Sequence, residues 1–200
     1  MNRNRLLTVL LVPVAAASLA GCGVNAIPTA EENVKARWAD VQADYQRRAN
    51  LIPNLVATAK GAATSEQSIL TGVTEARANA TRITVTGDQL SDPQAMARFA
   101  DAQNRVTLSL QRLQEAYPQL KSQTNFQTLM SELEGTENRI AIAVRDYNSA
   151  VQDYNTRIRT FPDVIGAKVF YGSKPKAPFE ATTPNADKAP TVSFDTNTSH

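Results

Sequence analysis

The hydrophobic pattern of the chain is clearest in residues 124–161. Apolar side chains recur there at alternating spacings of four and three, and Glu137 is the one charged residue among these positions. A heptad repeat of this kind predicts a helix that packs along its whole length against other helices. At about 1.5 Å per residue, the predicted helix would be about 57 Å long.

Three further stretches show helical periodicity. The first begins at Thr29 and has Arg48 as its polar exception, the second runs from Ile69 to Ile83, and the third has Gln103 as its exception. The linkers between them are short, so consecutive helices have to run antiparallel. The sequence therefore predicts an all-α fold, an elongated up-down-up-down four-helix bundle over residues 29–161.

The polar exceptions predict a buried polar layer. Counting from the predicted helix ends places Arg48, Gln103 and Glu137 at one height in the bundle. Breaking a buried ion pair costs about 3–5 kcal/mol, so a buried arginine needs a partner. We predict that Arg48 pairs with Glu137, assisted by Gln103, and that this layer sets the register of the helices. The alternative is a polar site for a ligand.

Pro53 interrupts the first helix. A proline removes one backbone hydrogen bond and frees the carbonyl four residues earlier, which belongs to Ala49. One interpretation is a kink that lets the helix follow the bundle. The other is a binding notch at the freed carbonyl, formed by Arg47, Asn50, Pro53 and Asn54.

The composition changes after residue 161. Residues 162–200 hold five of the ten prolines and many Thr, Ser and Asn residues. Segments of this composition bury too little apolar surface to hold one conformation. We therefore predict a mostly disordered C-terminal tail, with a docked piece around residues 164–170.

The N-terminal segment has the pattern of a secretory signal peptide. Arg3 and Arg5 precede an apolar run from Leu6 to Ala20. This run is shorter than the roughly 20 residues that a membrane span needs. The sequence Leu19-Ala20-Gly21-Cys22 resembles the lipobox of bacterial lipoproteins. The resemblance implies cleavage after residue 21, acylation of Cys22 with palmitate among other chains, and a tether over residues 22–28. The alternative is an uncleaved anchor with a buried free thiol.

Charge and residue inventory exclude several classes of function. The 21 basic and 19 acidic residues become equal in number once Arg3 and Arg5 leave with the signal peptide, which argues against a nucleic-acid partner. The single histidine, His200, is the last residue of the tail. A histidine-based general base or zinc site in the bundle is therefore excluded. We predict no metal, no cofactor and no enzymatic activity.

Five motifs occur in a fixed order along the chain. They are Arg47–Val56, which reads RR-x-x-LIPNLV, then Val73–Arg77, Pro118–Lys121 with Asn125-Phe126, Leu133–Ala141 and Tyr147–Asn155. This ordered set resembles the LemA family. The resemblance implies a bacterial envelope protein with an all-α bundle and an N-terminal membrane segment, and it implies no general biochemical activity. The chain departs from many members by having a lipobox in place of a transmembrane helix.

The last motif contains two asparagines one heptad apart, Asn148 and Asn155. Both stand one position beside the apolar seam. Our hypothesis is that they form a polar row that binds another protein.

These observations favour a non-catalytic, lipid-anchored envelope protein that scaffolds or regulates other envelope proteins. Cys22 is followed by Gly23 and not by the Asp that retains lipoproteins at the inner membrane in some enteric bacteria. In a Gram-negative source, we expect the outer membrane, with the bundle facing the periplasm. The alternative function is a periplasmic module that binds a ligand or the cell wall near Pro53. A hydrolase is the least favoured reading.

Overall fold

A computed structural model describes residues 25–62 and 67–180. Its long helices are α1 (Ala26–Ala62), α2 (Gln67–Arg82), α3 (Pro93–Ala116) and α4 (Thr124–Arg157). Shorter helical turns are the 3-10 helices Gly87–Ser91 and Pro118–Ser122, the α-helical turn Asp163–Gly166 and the π-helical turn Ala167–Tyr171. The four long helices form the elongated all-α bundle that the periodicity predicts.

The helices differ in length, and this difference shapes the bundle. α1 and α4 make the most extensive contact, while α2 packs on α3 and on α1. α1 has 37 residues and α2 has 16. At about 1.5 Å per residue, α1 spans about 55 Å and α2 only about 24 Å. One side of the rod is therefore left without a helix over more than half of its length.

The core consists of two clusters of buried side chains. The aliphatic half contains the C-terminal part of α1, all of α2 and the N-terminal part of α4, with Leu55, Val73 and Leu113 as typical members. The aromatic half contains the N-terminal part of α1 and the C-terminal part of α4, with Trp38 and Tyr147 near its centre. α3 contributes to both halves.

Two irregular segments cover the aromatic half where α2 is absent. The first is the connection between α2 and α3, residues 83–91. The second, which we call the C-terminal strap, comprises residues 172–180. The two segments are joined by a hydrogen bond from the amide of Ala177 to the carbonyl of Leu90, at 2.7 Å. Phe179 of the strap is only 2% exposed. The strap is therefore part of the core.

The start of α1 differs from the prediction. The helix begins at Ala26, so residues 26–28, which were assigned to the tether, belong to the bundle. Ile27 is buried, and the Thr29 hydroxyl donates to the carbonyl of Asn25 instead of capping the helix. Pro28 is tolerated because amides of the first turn have no partner within the helix.

The start of α3 follows from local sequence signals, whereas the end of α4 does not. α3 begins at a local signal that the sequence carries: the Asp92 carboxylate accepts from the amide of Gln94, and Pro93 is the first helical residue. α4 ends at Arg157 and not at Phe161, whose side chain is 79% exposed. The apolar period alone does not distinguish a residue on the buried seam from one just beyond the helix.

The prediction of a mostly disordered tail is wrong for residues 163–180. The predicted docked piece, residues 164–170, packs on the bundle through the buried Gly166 and Ala167, and the strap is a second docked piece that was not predicted. Val169 and Phe170 are 70% and 67% exposed, while Lys176, Ala177 and Phe179 are buried. Composition missed the strap because its partners are side chains of distant helices. Residues 181–200 lie outside the described residues, as do the predicted signal peptide and Cys22.

Candidate functional site

The buried polar layer lies between the two halves of the core. Arg48 of α1 donates from Nη1 to Oε1 of Glu137 at 2.8 Å and to the hydroxyl of Thr107 at 3.1 Å. Its Nη2 donates to the side-chain oxygen of Gln103 at 2.8 Å and to the main-chain oxygen of Gln103 at 3.0 Å. The predicted pairing of Arg48 with Glu137 and Gln103 is therefore observed, and it joins α1, α3 and α4 at one level.

The two charges of this layer differ in exposure. The Arg48 side chain is 2% exposed, whereas 44% of the Glu137 side chain is exposed. The carboxylate therefore keeps part of its hydration, and the cost of burial falls mainly on the guanidinium, which is compensated by four hydrogen bonds. The layer is thus open to solvent on the α4 side. The seam position of Glu137 suggests a fully dry layer, and the structure differs from it in this respect.

Tyr45 lies one helical turn before Arg48 and shares this environment. The Arg48 guanidinium carbon is 4.9 Å from the centre of the Tyr45 ring, within cation–π range. Burial raises the pKa of the Tyr45 hydroxyl to about 12, with a smaller rise from Glu137 and an opposing effect from Arg48. The phenol therefore stays neutral at physiological pH.

The carbonyl that Pro53 frees is occupied by the chain itself. α1 continues through Pro53, and the Ala49 oxygen accepts a hydrogen bond from Nε of Arg77 at 2.6 Å. Arg77 is a residue of α2, so the proline creates an acceptor that ties α1 to α2. This contact favours the packing interpretation of Pro53, because the group on which the notch hypothesis depended already has a partner.

The four residues predicted to form that notch lie on the exposed face of α1. Arg47, Asn50, Pro53 and Asn54 are all exposed. Arg47 pairs with Asp44 at 2.9 Å, one turn earlier in the same helix. A cavity of about 290 Å³ lies against α1, and its lining includes Arg48, Arg77 and Gln103 but none of those four. The predicted notch residues therefore take no part in this cavity.

The predicted row of Asn148 and Asn155 binds the strap. Asn155 Nδ2 donates to the carbonyl of Lys176 at 2.8 Å, and its Oδ1 accepts from the Lys176 amide at 2.8 Å. Asn148 makes the same pair of bonds to Phe179, at 2.9 and 2.8 Å. The hypothesis that this row faces another protein is therefore corrected, because the row is filled by the C-terminal segment of the same chain.

The spacing of the two asparagines explains the conformation of the strap. One heptad of α-helix rises about 10.5 Å. Three residues of fully extended chain, the separation between Lys176 and Phe179, span about 10 Å. The strap therefore has to be nearly extended between the two asparagines. Because Asn155 binds the earlier strap residue, the strap runs antiparallel to α4.

The side chains of Lys176 and Phe179, the two strap residues that the asparagines bind, add further contacts. Lys176 Nζ is 2.7 Å from Oε1 of Glu31 in α1 and 5.6 Å from the centre of the Tyr154 ring. The Phe179 ring lies 5.7 Å from that of Trp38 and 6.0 Å from that of Phe99. The ion pair of the buried Lys176 and the packing of the buried Phe179 ring therefore add to the backbone hydrogen bonds of the same two residues.

Tyr147 and Trp38 also bind the irregular segments. The Tyr147 hydroxyl donates to the carbonyl of Ala177 at 2.8 Å, and Trp38 Nε1 donates to the carbonyl of Val85 at 2.8 Å. Burial raises the pKa of Tyr147 well above its usual range, so the hydroxyl remains a donor. Both rings therefore fill the core and at the same time bind buried backbone.

Several of these residues were not found by sequence reasoning. Arg77 stands in a family motif, but its acceptor is a backbone atom and leaves no residue signal. Lys176 and Phe179 lie in a segment whose proline content indicates disorder. The only local hint is the alternation of Ala177 and Phe179 with the exposed Pro178, which is typical of a half-buried extended segment.

The described residues hold no buried side-chain nitrogen or oxygen without a hydrogen-bond partner. Within the same ranges, no group of His, Cys, Asp and Glu side chains is arranged to hold a metal ion. Among the helices of these ranges, none is sufficiently long and apolar to span a bilayer.

The fold and the site together define a class: an elongated helical bundle with a central polar layer and a motif-bearing fourth helix that binds a C-terminal strap. Residues 37–194 match the model of the LemA family. This match covers most of the chain, so the protein belongs to the LemA family. Among curated proteins, none matches the chain.

Proposed function

We propose that this LemA-family protein is a non-catalytic, lipid-anchored envelope protein that scaffolds or regulates other envelope proteins. The observation that supports it best is that the residues of the family motifs are engaged in structural contacts. Arg48 binds Gln103 and Glu137, and Arg77 binds α1. Asn148 and Asn155 bind the strap. On this proposal the motifs maintain the rod, and its outer surface meets partners.

The proposed anchor is Cys22, which carries palmitate and the other acyl chains of a lipoprotein. α1 begins at Ala26, so only residues 23–25 separate the modified cysteine from the rod. A tether of this length holds the end of the rod within about 14 Å of the lipid headgroups. In a Gram-negative cell the proposed location is the outer membrane, with the rod in the periplasm.

Labelling and fractionation test the anchor. Cells fed a radiolabelled or alkyne-tagged palmitate are expected to label the wild-type chain, and the chain should sediment with membranes. Cys22→Ser should lose the label and either become soluble or keep its leader. Gly23→Ala is the matched control and should behave as the wild type. An unlabelled wild-type chain with a free thiol would contradict the proposal.

Crosslinking in intact cells tests the scaffolding role. Photo-crosslinkers placed at the exposed rod positions Leu108 and Ile142 are expected to capture defined envelope proteins. The paired variant Arg48→Met with Glu137→Leu should keep these crosslinks if it keeps its fold. Loss of the crosslinks in a folded paired variant would favour the ligand-binding alternative. It would show that the polar layer has a role in binding besides its role in helix packing.

A further inference from the structure

Exposed apolar side chains are concentrated in one short segment. Seven large hydrophobic residues are exposed in the described ranges, and five of them fall within residues 161–171. We call these five the end patch: Phe161, Ile165, Val169, Phe170 and Tyr171. Apolar residues scattered singly over a surface need no explanation, whereas a cluster of this kind marks an interaction site.

The helical turns of this segment give it two faces. Ile165 and Val169 are four residues apart within the consecutive helical turns Asp163–Gly166 and Ala167–Tyr171, which places them on one side, and Phe161 lies in the turn just before. Gly166 and Ala167 are buried on the opposite side. The segment is thus fixed to the rod by small residues and presents its large apolar residues outward.

The end patch lies at the end of the rod where α1 begins. The turn Asp163–Gly166 contacts α1. Ala167 and Ile158 belong to the same buried cluster as Ile27, the second residue of α1. The chain that precedes α1 contains Cys22 and the apolar run from Leu6 to Ala20. Attachment to a bilayer through either Cys22 or the apolar run would therefore keep this end of the rod next to the membrane.

The charges around the end patch also suit a bilayer surface. Arg159, Lys168 and Lys174 are exposed around it. The nearby acid Asp163 lies 3.9 Å from Arg157, which also binds Asp153. Outward apolar side chains flanked by basic residues are the composition of elements that lie in the interfacial region of anionic membranes.

We propose that the end patch is a membrane-contact surface, whose apolar side chains enter the headgroup region of an anionic lipid bilayer while its basic residues meet the phosphates. This proposal rests on the proposed function only for the attachment of the N-terminus to the membrane. It adds a contact beyond the acyl chains of Cys22, and this contact fixes the orientation of the rod on the surface.

A fluorescent probe at a single position tests the contact. Cys22 is the only cysteine, so acylation leaves Val169→Cys as the sole thiol that an environment-sensitive dye can label. The labelled full chain is reconstituted into vesicles of phosphatidylethanolamine and phosphatidylglycerol. We expect a blue-shifted emission that spin-labelled lipids quench. Ile142→Cys, on an exposed position of α4, is the matched control and should show neither effect. Equal responses at both positions would overturn the proposal.

The same probe distinguishes contact of the end patch with the bilayer from contact with protein. A dye at position 169 that is shielded before vesicles are added would show that a second copy or another part of the chain covers the patch, and this outcome also overturns the proposal. Labelling of position 22 by the dye would show an unmodified thiol. That result would refute the lipid anchor and leave the patch to be tested in the next experiment.

Charge substitution in a chain without the anchor provides that independent test. In the mature chain, residues 22–200 with Cys22→Ser, the double change Val169→Glu with Phe170→Glu should lower partition onto the same vesicles by about a hundredfold, since each buried side chain contributes about tenfold. Ile142→Glu should have no effect. Both changes are at exposed positions, so circular dichroism should show an unchanged helix content. Unaltered partition would refute the membrane contact.

Discussion

The two halves of the rod fill the same space in different ways. In the aliphatic half, four helices supply the core, and two of its buried residues are aromatic. In the aromatic half, α2 is absent, and six buried residues are aromatic. Large rings fill the space that a fourth helix would occupy, and the connection and the strap close the surface over them.

The two halves also differ in how they satisfy backbone polar groups. A helix pairs its own amides and carbonyls, whereas a buried irregular segment depends on other groups for its hydrogen bonds. Side chains meet this need in the aromatic half: Trp38 and Gln42 donate to Val85, Tyr147 donates to Ala177, and the two asparagines bind the strap. The comparison teaches that replacing a helix by irregular chain requires polar side chains at set positions.

The largest effect is expected at the boundary between the halves. Arg48→Ala should lower the free energy of unfolding by about 4 kcal/mol, because it removes four hydrogen bonds and leaves a cavity. Glu137→Leu should cost less, about 2 kcal/mol, since Gln103 and Thr107 still bind the guanidinium.

Denaturant melts of these variants and of the pair Arg48→Met with Glu137→Leu measure the coupling. We expect the paired apolar replacement to be close to neutral, because no uncompensated charge stays buried. Equal stability of Glu137→Leu and the pair would show that the two side chains do not depend on each other.

The second prediction compares one truncation in the core of the aromatic half with one in the core of the aliphatic half. Phe179→Ala should cost about 3 kcal/mol and release the strap, and Leu55→Ala should cost a similar amount. Trp38 is the only tryptophan and contacts the Phe179 ring, so its native-state emission should shift to the red in Phe179→Ala and stay unchanged in Leu55→Ala. A Phe179→Ala chain with wild-type tryptophan emission would show that the strap is not part of this core.

The third effect depends on pH. Because burial raises the pKa of Tyr45 from about 10 to about 12, the folded chain keeps this proton while the unfolded chain loses it. The contribution of Tyr45 to stability is complete below about pH 10 and is lost as the pH rises to about 12, a change of about 3 kcal/mol.

Urea melts from pH 9 to about pH 12 measure this loss, given ordinary titration of the unfolded chain near pH 10. Tyr45→Phe should make the decline less steep without abolishing it, because burial also raises the pKa of Tyr147 and of Tyr154. Tyr171→Phe, at an exposed position, should keep the wild-type slope. An identical decline in Tyr45→Phe and in the wild type would assign the pH dependence to other groups.

The smallest effect concerns one asparagine of the strap site. Asn155→Ala should cost about 1 kcal/mol, since the site is only partly buried and water can replace some of the lost bonds. Hydrogen exchange at the Lys176 amide should become faster. Asn138→Ala, at an exposed position of α4, should change neither quantity, and protection at Lys176 that survives Asn155→Ala would contradict the structural role of this residue.

The sequence by itself determined the helices and the polar layer. Heptad spacing reports which side of each helix is buried, and a charged residue on that side needs a partner at the same height. Arg48, Gln103 and Glu137 could therefore be placed together before any coordinates were known. The cap at Asp92-Pro93 is equally local, because its bonds lie within a few residues.

Only the tertiary structure decided which groups bind the Ala49 carbonyl and the two asparagines, and that the chain is ordered beyond residue 161. Arg77 meets a backbone carbonyl on another helix, and Asn148 and Asn155 meet backbone groups 31 and 21 residues away. Every residue carries a backbone carbonyl, so the sequence does not mark which one a side chain will bind. The strap is ordered by partners that three distant helices bring to one surface, and no local pattern contains that information.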